Sequence, residues 1–185
     1  MMLIVSSRLT ITVDLNRQTT LSSQSMQWSQ CEKAFEFDGS WRDIYILNTS
    51  SMDWDKLLDA LSHSKYEIKF WVDNAKSQPI LTMQEALEIR KKACPLMHVE
   101  MMGIAIACHF FTDENIEFDI DPRQVVNQQD LDAILDFMTF LGNLLQKTVV
   151  LTPENLEDIP LIQFFPKAQT FSYHKENERY HQTPP

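Results

Sequence analysis

The residues best placed to do chemistry are carboxylates. Positions 113–121 read D-E-N-I-E-F-D-I-D. Ile116, Phe118 and Ile120 alternate with Glu117, Asp119 and Asp121. A strand has a period of two, so this spacing puts the three acids on one face and the three apolar residues on the other. Asp and Glu are poor strand formers, and three on one face repel one another. Together with Asp113 and Glu114 they offer a negative surface for a basic partner, or a seat for a hard cation. The plainer reading is an outer strand face kept soluble, whose acids discourage edge pairing. Acids spaced along one straight strand lie about 7 Å apart, too far to chelate one ion together. No metal is therefore assigned, and no EF-hand spacing is present.

The second group is Cys94, His98, Cys108 and His109. If residues 97–111 form a hairpin, a Cys–His nucleophile pair or a zinc site could assemble. The spacing C-x3-H…C-H matches no standard ligand pattern. Phe110 and Phe111 beside His109 favour a core role, and buried cysteines usually act as small apolar residues. A hydrolase using such a pair is the enzymatic alternative.

Composition narrows the choices. The chain has 185 residues, and its formal charge is −10. Residues 113–136 hold eight acids against one base, Arg123, a net of −7. Such a field repels nucleic acid and anionic membrane, and attracts basic surfaces. Gly39, Gly103 and Gly142 are the only glycines. They are too scattered for a phosphate loop or a dinucleotide fingerprint, so no cofactor is expected. Three cysteines without C-x-x-C spacing argue against a disulfide framework or a zinc ribbon. The N-terminal stretch lacks the basic and apolar regions of a signal peptide, and no apolar run has the length of a membrane span. The expected location is cytoplasmic, with reduced thiols.

The elements that must position these residues can be read in order. Leu9 to Leu15 alternates as an amphipathic strand, and residues 16–33 form a polar connecting segment. Phe35 and Phe37, then Asp38-Gly39, then Trp41 to Leu47 suggest a hairpin. Trp41 could anchor an interface or cover a strand end. Trp54, Leu57, Leu58 and Leu61 make a helix stripe, and residues 66–73 alternate as a strand. Thr82 to Glu85 is a capping box that opens a helix ended by Pro95. Residues 97–102 and 104–111 are strands flanking Gly103, the latter apolar on both faces and so central. Asn127 caps a long, mostly buried helix through Leu145, in which Gly142 implies close packing. Residues 148–151 form a strand.

The reading is one α+β domain over residues 1–166, with a polar, mobile C-terminal tail at 167–185. Its mixed, mainly antiparallel sheet of five to seven strands packs against about three helices. The expected core is Ile44, Ile46, Leu57, Leu61, Ile68, Phe70, Leu87, Val99, Ile104, Ile106, Phe118, Leu131, Ile134, Leu135, Met138 and Leu141. In composition and layout this resembles bacterial immunity proteins, which neutralise toxins, and acidic secretion chaperones. No motif residue carries that likeness. The leading expectation is a non-enzymatic protein binding a basic protein such as a toxin or effector. Its candidate site is Asp113, Glu114, Glu117, Asp119 and Asp121. A self-associating scaffold is a further possibility, and a homo-oligomer is compatible with either.

Overall fold

The protein is seen in a computed structural model that describes residues 26–174. The strand expected at Leu9 to Leu15 and the chain beyond residue 174 lie outside the described residues.

Among the described residues, nine strands form one antiparallel sheet: β1 (Arg42–Leu47), β2 (Glu67–Val72), β3 (Ala75–Lys76), β4 (Pro95–Met101), β5 (Ile104–His109), β6 (Asn115–Ile120), β7 (Val149–Pro153), β8 (Ile162–Phe165) and β9 (Thr170–Tyr173). Their spatial order is β3-β2-β4-β5-β6-β1-β7-β8-β9. The helices are a short α1 (Trp28–Cys31), α2 (Ser51–Ser62), α3 (Met83–Arg90) and α4 (Gln128–Leu145). The expected α+β class holds, with more strands than expected. The extra ones are short or lie at the far edge. In β9, the Phe171 ring packs at a tilt against Phe164, centroids 4.9 Å apart, and ties Thr170–Tyr173 to the sheet. The sheet thus continues into the polar stretch that begins at Lys167.

Local chemistry explains the boundaries. Ser50 caps α2 and Asn127 caps α4, each accepting from backbone amides of its first turn. At α3, Thr82 Oγ1 accepts from the Glu85 amide, while Glu85 reaches back to the Leu81 amide. Met102 and Gly103 both take positive φ, 49° and 88°. They form the two-residue turn joining β4 to β5, since Met101 pairs with Ile104. Gly142 has the packing role expected of it: a Cβ there would lie 2.5 Å from the Phe164 ring.

One expected element is different. Phe35 and Phe37 do not enter a hairpin. Residues Glu32–Phe35 form a 3₁₀ turn that buries Ala34 and Phe35. The reason is Arg42, which is 4% exposed and whose guanidinium gathers the carbonyls of Ala34, Glu36 and Trp41. The chain before β1 wraps around that buried cation instead of pairing as a strand.

Strands β4, β5 and β6 alternate strictly between buried and half-buried residues. One sheet face is therefore covered by helices and the other is open. The covered face packs Ile44, Val99, Ile106 and Phe118 against Leu57, Leu61, Leu131, Ile134, Phe137 and Met138. Of the expected core, only Ile68 and Leu87 are half-buried rather than buried.

Candidate functional site

The acidic strand β6 is the fifth of nine strands, the centre of the sheet. Its acids therefore do not protect an edge, which corrects that part of the plainer reading; they do lie on an outer face of the sheet. Phe118 and its neighbours face the helices, and Glu117 and Asp119 face the open side. Strand β1 lies beside it in antiparallel register, with Asp43 opposite Asp119 and Tyr45 opposite Glu117. Sheet pairing thus gathers carboxylates across strands, where alternation along one strand would have kept them apart.

Asp43, Glu117 and Asp119 each place an oxygen within 4.8 Å of the other two. They line a cavity of about 200 Å³ with Trp41, His109, Phe111, Glu154 and Asn155. Asp43 is 2% exposed. Its Oδ2 accepts from the Asn155 amide at 2.7 Å and lies 3.0 Å from the Tyr45 hydroxyl. The same hydroxyl lies 3.1 Å from Glu117 Oε1. His109 Nε2 stands 3.5 Å from Asp119 Oδ2. Trp41 and Phe111 are exposed at the rim, and Phe111 contacts both the His109 ring and the Arg90 guanidinium.

Electrostatics follow from this crowding. Burial and then Asp43, Glu117 and Glu154 push Asp119 up to about 7. Burial raises Asp43 despite its hydrogen bonds, and burial with the Asp43 charge raises Glu117. Burial, then Arg90 and His98, lower His109. Among the described residues, no lysine or arginine forms an ion pair with any of the three carboxylates. The Asn155 amide already holds Asp43 Oδ2, and the one Tyr45 hydrogen is shared between Asp43 and Glu117 as alternatives.

The other acids singled out in the sequence lie elsewhere. Asp113 takes the Ser51 hydroxyl at 2.6 Å near the start of α2. Glu114 is exposed, and its carbonyl holds the Thr49 amide. Asp121 caps a 3₁₀ turn and is held by Arg123 at 2.8 Å. Only Glu117 and Asp119 enter the pocket. The sequence reading did not place Asp43 and Tyr45 in the site, although an acid leading directly into the apolar run I-Y-I-L of β1 is itself a signal, since Asp is depleted in strands.

Cys108 and His109 are successive strand residues and point to opposite faces. Cys108 is fully buried against the helices, and burial raises its thiol well above the usual range. The two cannot form a catalytic pair. Cys94 is exposed, with its backbone amide held by Asp73. A larger hollow of about 510 Å³ lies among Trp28, Phe35, Phe37, Arg123 and Val126. It is mainly apolar, and its Arg123 is already taken by Asp121. Among the described residues no helix is long and apolar enough to cross a membrane.

Compared with protein-family models, with curated proteins and with solved structures, the chain matches none.

Proposed function

We propose that this is a non-enzymatic binding protein that receives a basic protein, such as a toxin or a secreted effector, on the open face of its sheet. The supporting observation is the crowding of Asp43, Glu117 and Asp119 at the centre of the sheet, where no lysine or arginine among the described residues forms an ion pair with them and only His109 stands within 3.5 Å, of Asp119. Acids in a central strand cost stability, and half-buried carboxylates need a counter-charge. A lysine or arginine of a partner supplies it. Trp41 and Phe111 frame the pocket with exposed aromatic surface, 39% and 48% accessible, of the kind that anchors interfaces. The acidic balance of the whole chain steers a basic partner toward this face. The site of action is the cytoplasm.

The test is capture from the source cell on immobilised protein, followed by binding measurements with the purified captured protein. A basic protein should bind the wild type with marked salt dependence and bind the Glu117→Gln/Asp119→Asn variant at least tenfold more weakly. Equal binding by the variant, or affinity insensitive to salt, overturns the reading. Glu88→Gln, on the exposed side of α3, is the control that should leave binding unchanged.

A further inference from the structure

The Tyr45 hydroxyl has one hydrogen but two carboxyl neighbours, Asp43 Oδ2 at 3.0 Å and Glu117 Oε1 at 3.1 Å. That hydrogen can be donated to only one of them. The other contact is a hydrogen bond only if the second carboxyl carries a proton and donates it to the phenolic oxygen. Asp43 cannot turn away, because the Asn155 amide fixes the same oxygen at 2.7 Å. Asp119, directly opposite Asp43, adds a third carboxylate within 4.8 Å.

We propose that the Asp43–Glu117–Asp119 trio holds one extra proton in the unbound protein and releases it to solvent when a cationic side chain enters the pocket. The second half of this proposal rests on the basic-partner reading, and the first does not. The step balances. A carboxyl O–H bond breaks, the proton leaves to water, and an ammonium or guanidinium takes its place. The pocket carries the same net charge before and after. Binding is thereby coupled to pH, tightening as pH rises.

The surroundings fit this. Glu154 adds negative charge beside Asp43 and Asp119, and Glu157 does so beside Glu117. Arg42 is the one cation that eases Asp43. His109 faces Asp119 from β5, but burial, Arg90 and His98 favour its neutral form, so it brings no fixed counter-charge. Tyr45 is itself pushed up by burial and by the charges of Asp43 and Glu117, so its hydroxyl keeps its hydrogen. Strong mutual interaction makes the three carboxyls titrate as a unit, and the extra proton belongs to the group.

Carbon-13 NMR of the Asp and Glu carboxyls across a pH series reads the proton without any partner. A trio midpoint between about pH 6 and 8 is expected, against about 4 for ordinary carboxyls. Asp119→Asn should move the remaining midpoint down. Midpoints for all three below about pH 5 in the wild type overturn the proposal, whether or not the variant folds. The second arm is calorimetry with a tetra-arginine peptide at several pH values. Release of one proton predicts affinity rising toward about tenfold per pH unit through the neutral range. Peptide affinity that does not change with pH overturns the coupling. A neutral midpoint with no peptide binding at any pH sinks the basic-partner reading and leaves the retained proton standing.

Discussion

Asp43 on β1 stands directly opposite Asp119 on β6, with both side chains on the open face of the sheet. Like charges in directly opposed positions destabilise a strand pair. These two also share a half-buried pocket with Glu117. Replacing Asp119 by Asn removes one charge and keeps the shape. The variant should be more stable than the wild type at pH 8 by ~1–3 kcal/mol, since each unit of pKa displacement is worth about 1.36 kcal/mol. At pH 5 the gain should be smaller, because the folded carboxyl is then still protonated. Urea denaturation at both pH values checks this, and a variant less stable at pH 8 would show the carboxylate to be structural.

The wild type should show the same effect as a slope. Asp119 is pushed up to about 7 from an ordinary 3.8, so the folded state holds its proton more tightly. That contribution is fully present below pH 3.8 and is lost as pH rises through about 7. His109 runs the other way. Its folded pKa is lowered from 6.5, so its contribution is present above 6.5 and is lost as pH falls through the folded value. The Asp119 contribution should therefore appear as stability falling between about pH 4 and 7, and that fall should be absent in Asp119→Asn. Thermal melts across that range read the difference between the two slopes.

The faces of β6 could be read from its sequence because alternation is local: each residue's side follows from its neighbours. Ile116, Phe118 and Ile120 are buried and Glu117 and Asp119 are not. The partners of those acids could not be read that way. Asp43 is 74 positions from Glu117, and strand order alone brings β1 against β6. Nothing in residues 113–121 says which strand will lie beside them, so the argument from spacing along one strand missed a cluster formed across two. Asp121 illustrates the converse. It continues the alternation, but Pro122 ends the strand and turns the carboxylate into a cap for Arg123.

Arg42 carries a prediction outside the pocket. Its guanidinium is buried and donates to the carbonyls of Ala34, Glu36 and Trp41, and to Asp38. A lysine has one nitrogen in place of this fork and cannot reach carbonyls in several directions. Arg42→Lys should cost about 2–4 kcal/mol, because buried carbonyls and a buried charge lose partners together. Hydrogen exchange should show residues 31–40 opening before the central strands. A variant with unchanged exchange there would mean that the 3₁₀ turn holds without the guanidinium.

The last prediction separates helix propensity from packing. Alanine is a better helix former than glycine by about 1 kcal/mol in a helix interior, so propensity alone favours Gly142→Ala. A Cβ at that position would stand 2.5 Å and 2.8 Å from two carbons of the Phe164 ring, and 3.3 Å from the Lys147 carbonyl. Phe164 is 2% exposed and wedged between α4 and Phe171, so it has little room to retreat. Overpacking of this kind costs about 1–3 kcal/mol. The clash should win, and Gly142→Ala should lower the urea midpoint. Phe164→Leu opens the space that the new methyl needs, so the double variant should be more stable than the sum of the two single losses. A coupling of about 0.5 kcal/mol or more in that cycle marks direct contact. Additive losses would mean that α4 shifts away from β8 as a body and that the glycine is not what sets their separation.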